Sequence, residues 1–123
     1  MLTHCALVTT ALLWLLVAPS RTIADGELPA RERTRIEQLI QHVKELKDAV
    51  FIRNDVEYDA AAAAKFLQGK WEANKGAIRT AEQFIEKAAS ISSTTGKPYL
   101  IRFKDGKEVK SGDYLEERLK TLE

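Results

Sequence analysis

The chain has 123 residues, of which 45% are hydrophobic and 30% charged, enough for one ordinary domain with its own core. Nineteen Lys and Arg stand against eighteen Asp and Glu, which gives a formal net charge of +1 at pH 7. This balance excludes a general nucleic-acid binder, because such proteins owe their affinity to the neutralisation of phosphates.

The N-terminal residues 1–24 resemble a secretory signal peptide. An uncharged, leucine-rich run covers 6–17, Pro19 follows it, and small residues precede Asp25. We predict cleavage after Ala24, with a second candidate cut at 18–20. The alternative is a retained membrane anchor, since no Lys or Arg precedes the run, but its length of about 12 residues falls short of the roughly 20 that a spanning helix needs.

Cleavage would leave residues 25–123 as a single periplasmic or secreted domain without a membrane span. Arg21 would leave with the signal, so the remaining basic and acidic residues balance at eighteen each. Cys5 would leave as well, and the mature chain would then lack cysteine. Thiol catalysis, thiolate metal sites and disulfides are excluded for such a chain.

The first half of this domain alternates helical and strand patterns. Apolar residues spaced by three and four predict a helix over 30–47, with Arg35 and His42 on its polar face. Period-two alternation then predicts a hairpin over 50–58. We expect a three-residue loop that ends in a left-handed Asp55 and pairs Ile52 with Val56 and Val50 with Tyr58.

Two more helices are predicted before the second hairpin. Asp59 is the expected N-cap of a helix over 60–74, and Gly76 its expected C-terminal stop. Thr80 begins a capping-box pattern that opens the third helix. A hydroxyl-rich loop follows over 90–96.

The C-terminal part repeats the hairpin-then-helix pattern. A strand over 99–103 leads into a loop, 104–106, with Gly106 left-handed, and Val109 is expected opposite Ile101. Ser111 is the expected cap of a helix over 112–122. The predicted fold class is α+β in the order α-ββ-α-α-ββ-α, with both hairpins in one antiparallel sheet packed with helices. Equal loop lengths in the two hairpins suggest an internal repeat, although hairpin-then-helix is a common arrangement.

The search for chemistry predicts a domain that is not an enzyme and needs no cofactor or metal. One histidine, His42, would survive cleavage, and we interpret it as a solvated surface residue. The motifs of zinc proteases, EF-hands and serine hydrolases are missing. Ser92 to Thr95 with Lys97 could hold an anion through hydroxyls and backbone donors, or could simply connect helix to strand.

The second hairpin is locally basic and gives the candidate binding surface. Such a patch could contact an anionic envelope component, or its lysines could protect exposed strand edges from aggregation. The candidate binding residues are Arg53, Lys97, Arg102, Lys104 and Lys107.

Several segments resemble a known family of small exported bacterial proteins, catalogued as domain of unknown function 5329. They are Phe51-Ile52-Arg53-Asn54, Tyr58, Lys70-Trp71, Thr80-Ala81-Glu82 with Phe84-Ile85, and Ser92-Ser93 with Gly96-Lys97-Pro98-Tyr99. The resemblance spans about residues 30–122 and is most specific over 96–102. It implies a Gram-negative periplasmic location and no particular activity. Asp55 departs from the glycine expected after Arg53-Asn54.

The sequence therefore predicts a small exported, non-enzymatic binding domain for a periplasmic protein or an anionic envelope component. One alternative is an inhibitor of an envelope enzyme. The other is a small hydrolase that uses Ser or Thr hydroxyls and Lys97 without histidine, which requires Lys97 to be buried beside a serine in a cleft.

Overall fold

The computed structural model describes residues 28–122. The predicted signal peptide over 1–24 and its cleavage site lie outside the described residues. Within 28–122, the helices are all too short or too polar to cross a membrane.

The predicted α+β order is confirmed. Within residues 28–122, four helices, a π-helical turn over Ile85–Ala89 and four short strands follow one another. The elements are α1 (Ala30–Glu45), β1 (Val50–Arg53), β2 (Val56–Tyr58), α2 (Ala60–Ala73), α3 (Ala81–Phe84), β3 (Leu100–Arg102), β4 (Glu108–Lys110) and α4 (Ser111–Lys120).

The two hairpins join one antiparallel sheet, as predicted, in the strand order β2-β1-β3-β4. The first strands of the two hairpins form its centre, where Phe51 pairs with Ile101. Ile101 pairs in turn with Val109, also as predicted. Directly paired residues share a sheet face, so Phe51, Ile101 and Val109 form a row that faces the helices.

The helices cover that row with an apolar core. The stripe predicted for α1 is buried, with Ile36, Leu39 and Val43 fully inaccessible. The alanines of α2 let this helix pack closely against α1, and Trp71 fills the space beyond them. Trp71 is 5% exposed, which confirms its interpretation as a core residue.

The first hairpin differs from the prediction by one residue of register. Arg53 pairs with Val56 and Phe51 with Tyr58, so the loop contains only two residues. Asn54 and Asp55 both have positive φ, 51° and 68°. Such a pair matches the right-handed twist of the strands, which favours two-residue loops. The left-handed Asp55 is confirmed, but the three-residue loop and the pairing of Ile52 with Val56 are wrong, and Ile52 lies on the face opposite Phe51.

The loop of the second hairpin contains three residues with Gly106 left-handed at φ 92°, as predicted. The two hairpins therefore differ in loop length, and the equal lengths expected for an internal repeat are wrong. What they share is the position of each hairpin directly before a helix.

Several helix ends also differ from expectation. The caps of α2 by Asp59 and of α3 by Thr80 are confirmed, through bonds from the N–H groups of Ala62 and Gln83. However, α2 ends before Gly76, with Asn74 as its C-cap. The predicted cap by Ser111 is wrong, because Ser111 is the first residue of α4 and Lys110 occupies the N-cap position. The Ser111 N–H donates to Tyr99 O and so extends the pairing of β3 with β4.

Arg35 is buried, although the sequence predicted it on the polar face of α1. Its guanidinium donates to Glu32 at 2.9 Å and to Glu82 at 3.2 Å, which ties α1 to α3. Glu32 also accepts from the first N–H of α3, at Ala81. Burial alone would raise the pKa of Glu32, but the Ala81 N–H and the Arg35 guanidinium outweigh it and hold the pKa below its usual value.

A close approach fixes the start of α4. The π-helical turn ends at Ser90, whose hydroxyl donates to Ile85 O at 2.7 Å. Gly112 lies against this serine, and a β-carbon at that position would overlap the Ser90 hydroxyl. Only glycine therefore lets α4 pack so near the turn.

Candidate ligand-binding groove

An apolar groove of about 300 Å³ lies between α2 and the core face of the sheet. This volume is at the lower end of the range for small-molecule sites. Phe51 and Tyr58 line it from the first hairpin, Tyr99 from the chain before β3, and Ala62 and Phe66 from α2.

Aromatic rings form the walls of the groove. Phe66 and Tyr99 meet edge to face, with ring centroids 5.9 Å apart and planes at 83°. Tyr99 is almost fully buried, whereas Phe66 is only half-buried. Such a ring pair is stabilised both by the buried area and by the electrostatic attraction of edge to face, so the two rings form one aromatic wall, of which Phe66 is the more exposed part.

Cations surround these rings. The Arg53 guanidinium lies 4.5 Å above the Phe66 centroid. Lys70 Nζ lies 5.6 Å from the centroids of both Phe66 and Tyr99 and donates to the Tyr99 hydroxyl at 3.3 Å. Lys65 also lines the groove, and none of the residues that line the groove carries a carboxylate. Among residues 28–122, no acidic side chain forms an ion pair with Arg53, Lys65 or Lys70.

The five basic residues singled out from the sequence do not form one surface. Arg53 shares the core face with Phe51, whereas Arg102, paired with Val50, lies on the opposite face. Arg102 pairs with Glu57 at 2.7 Å and Glu108 at 3.6 Å.

The other three candidate residues lie at the tips of the sheet. Lys97 pairs with Asp55 at 2.7 Å. Lys104 and Lys107 are exposed around the loop of the second hairpin. Acids thus pair with two of the five cations, and a role of all five residues in binding stays a prediction.

The hydroxyl-rich loop clamps the first hairpin. Asn54 Nδ2 donates to Ser92 Oγ at 3.2 Å, and Thr95 Oγ1 donates to Asn54 Oδ1 at 2.5 Å. Ser92 is buried, and its hydroxyl also accepts from the N–H groups of Thr94 and Thr95. These bonds are those of a helix-to-strand connection, the second of the two readings of this loop.

His42 is not the solvated residue expected. Its ring is half-buried and stacks on Tyr114, and Nε2 shares a 2.7 Å hydrogen bond with the Tyr114 hydroxyl. Burial and the nearby Arg118 lower the pKa of His42, and burial raises the pKa of Tyr114. No group of His, Cys, Asp or Glu side chains within 28–122 could hold a metal ion.

The groove was missed in the sequence because it depends on how α2 crosses the sheet. Phe66 lies off the buried stripe of α2, which runs through Ala63, Leu67 and Trp71. A large aromatic beside an alanine stripe, four residues after Ala62, is the signal that could have indicated a second contact face. Tyr99 was assigned to a strand without any indication that α2 would cover it.

Comparisons with known proteins give a family and one relative. The sequence profile described as "Family of unknown function (DUF5329)" matches residues 30–123. A curated protein named "Uncharacterized protein YfeK", from Salmonella typhimurium strain LT2, is 40% identical over 76 residues. That match covers 62% of this chain and 63% of the relative, so the chain spans less than two thirds of the relative's length. No solved structure matches the chain significantly.

Proposed function

Since the chain belongs to the DUF5329 family, whose function is unknown, we propose from its own residues that it is an exported, non-enzymatic binding domain with its ligand site in the groove between α2 and the sheet. The single observation that carries this proposal is an aromatic wall beside three cations, Arg53, Lys65 and Lys70, that have no acidic partner within residues 28–122.

The groove combines apolar surface with positive charge. Phe66 is only partly buried, and Arg53 and Lys65 place two like charges at the same groove. A concave apolar site with a few convergent polar groups is the usual form of a binding pocket. The residues that line the groove include no histidine, cysteine, aspartate or glutamate.

Export is supported by the signal-like pattern of residues 1–24 alone. A direct test is the intact mass of the protein recovered from the cell envelope. We expect an N-terminus at Asp25. A chain that retains Met1 would refute cleavage and favour the membrane anchor.

The histidine-independent hydrolase finds no support in the placement of Lys97. Its side chain is 56% exposed and bonded to Asp55, whereas the mechanism requires a lysine that is buried beside a serine. Ser92, the buried serine of that loop, holds Asn54 and the backbone instead.

Site-specific photocrosslinking tests the binding proposal. A photoreactive phenylalanine analogue replaces Ala62, which is exposed and lines the groove. In a matched control it replaces Ala61, which is also exposed but lies outside the groove. After irradiation of living cells, we expect a mass-shifted adduct from position 62 and none from position 61. Equal labelling of both positions, or none at 62, would contradict a ligand site in the groove.

A further inference from the structure

We propose that the groove binds a small amphipathic carboxylate, whose apolar body lies against the aromatic wall of Phe66 and Tyr99 and whose head group bonds to Arg53. This inference rests on the proposed function and adds the chemical class of the ligand. Both the charge and the shape of the site favour it over a neutral or a cationic ligand.

The charge of the site selects an anion. Arg53 and Lys65 line the groove and Lys70 stands at the Phe66 and Tyr99 rings, while no carboxylate lines it. An incoming anion would therefore meet cations that need not first give up an acidic partner within residues 28–122. A cationic ligand would be repelled by the same groups.

The state of Arg53 selects a planar head group. Its guanidinium is held over the face of Phe66, 4.5 Å from the ring centroid. A guanidinium held against an aromatic ring still offers N–H donors, and their forked geometry matches the two oxygens of a carboxylate. Because the ring restricts the side chain before binding, less conformational freedom is lost when the bond forms.

The dimensions of the groove select a small apolar body. A volume of about 300 Å³ is too small for a folded partner and accommodates a medium-length acyl chain or a single aromatic ring system. Ala62 has a small side chain and so leaves room for the ligand on the α2 side of the groove, and Phe66 and Tyr99 provide an aromatic surface for it to contact. The Ser111 residue at the groove adds a small polar group without a charge.

A head-group series tests the inference directly. Decanoate, decanol and decyltrimethylammonium have alkyl chains of similar length with a negative, a neutral and a positive head group, and each is titrated below its micelle concentration into the purified protein, with amide chemical shifts as the readout. We expect decanoate to bind about tenfold more tightly than decanol, since charge-assisted bonds are roughly twice as strong as neutral ones. We expect decyltrimethylammonium to bind more weakly than decanol.

Two variants and a matched control assign the effect to residues. Arg53→Gln should lower the affinity for decanoate about tenfold and leave that for decanol unchanged. Ala62→Trp should block all three ligands. The double variant Lys104→Gln/Lys107→Gln removes positive charges from the second hairpin and should change none of the affinities.

The outcomes separate this inference from the proposal on which it rests. If all three ligands bind equally and Ala62→Trp blocks them, the groove is a binding site but its preference for a carboxylate is overturned. If no ligand shifts groove residues, the amphipathic carboxylate is overturned, and the crosslinking at position 62 then decides whether the groove binds anything else. Loss of decanoate binding in the Lys104→Gln/Lys107→Gln control as well as in Arg53→Gln would also overturn the assignment to Arg53.

Discussion

The two hairpins look alike in the sequence and differ in what holds them. The first is held on both sides, because the hydroxyl-rich loop clamps its turn through Asn54, and Phe66 of α2 lies under its Arg53. The turn of the second hairpin bonds within its own hairpin, where the Gly106 N–H donates to Phe103 O and the Lys107 N–H to Asp105, and beside it Phe103 meets Tyr114 with centroids 5.4 Å apart. This turn, over 104–106, is exposed.

This difference shows how one local pattern can serve two purposes. The clamped hairpin can hold a side chain in a fixed position at the groove, since its turn cannot move without breaking bonds to another loop. The second hairpin contributes Ile101 to the core and Val109 to its edge, and its tip is free to vary. The following experiments test that contrast, from the largest expected effect to the smallest.

Replacing one aromatic residue in each hairpin should give the largest difference in stability between the two. Phe51 is 8% exposed and central to the core row, so Phe51→Ala should cost about 3–5 kcal/mol of unfolding free energy. Phe103 is half-buried, and Phe103→Ala should cost about 1–2 kcal/mol. Urea unfolding at one temperature measures both. Equal losses would show that the second hairpin is as firmly held as the first.

Substitutions in the two turns should give the next largest difference in stability. Asn54→Ala removes two side-chain bonds to the 92–95 segment and places alanine at positive φ, so we expect a loss of about 2 kcal/mol. Asp105→Ala, in the exposed turn, should cost under about 1 kcal/mol. Asn54→Gly removes the same two bonds but places at the positive φ a residue that adopts it without strain. If this variant is as stable as the wild type in thermal unfolding, the bonds of Asn54 to the 92–95 segment contribute nothing to stability.

The support of the second hairpin should weaken in mild acid. The pKa of His42 is lowered in the folded state, so the unfolded chain binds more protons as the pH falls through the ordinary value of 6.5. Stability should therefore decline between about pH 7.5 and about pH 5.5, by less than the Asn54→Ala loss because the ring is half-exposed. His42→Gln should flatten this decline, and a slope that persists unchanged in the variant would assign it to other groups.

The turn of the first hairpin should tolerate glycine. Asp55 has a φ of 68°, which is unfavourable for any residue with a side chain. Asp55→Gly should therefore leave the protein equally stable or stabilise it by up to about 1 kcal/mol. The lost bond to Lys97 offsets part of this gain, since exposed ion pairs contribute under about 1 kcal/mol. A clear loss in thermal unfolding would show that the Lys97 pair is an essential part of the clamp.

The smallest effect is expected at the tip of the second hairpin. Lys104→Gln/Lys107→Gln should change stability by under about 0.5 kcal/mol, because both side chains are exposed. Co-sedimentation with anionic liposomes and with peptidoglycan, at low and high salt, tests the anionic-surface prediction in the same variant. Binding that weakens with salt and with the substitutions would support it. If neither protein sediments, these lysines serve only to protect the edge.

The sequence predicted what depends on local chemistry. Apolar periodicity located α1 and α2, and the caps by Asp59 and Thr80 follow from side chains that bond within a few residues. The left-handed Gly106 was predictable for the same reason. The register of the first hairpin was not, because two- and three-residue loops around Asn54 are close in energy and the burial of Phe51 decides between them.

What depends on distant contacts could not be predicted. Arg35 lies on a polar face by periodicity and is buried because Glu82, on another helix, reaches it. His42 likewise depends on Tyr114, 72 residues away. The groove forms only where α2, the first hairpin and Tyr99 come together. The clustering of basic residues in the sequence instead indicated Lys97 and Arg102, which are paired in the structure with Asp55 of the first turn and Glu57 of β2.

The centre of the sheet also sets an order of assembly. Each hairpin closes a loop of two or three residues, a step that takes microseconds, whereas Val50 and Arg102 pair across about fifty residues. The two hairpins should therefore form early and dock late, since long-range pairing slows folding. Until they dock, β1 and β3 each present an unpaired edge, so the interval before docking is when this chain is most exposed to aggregation.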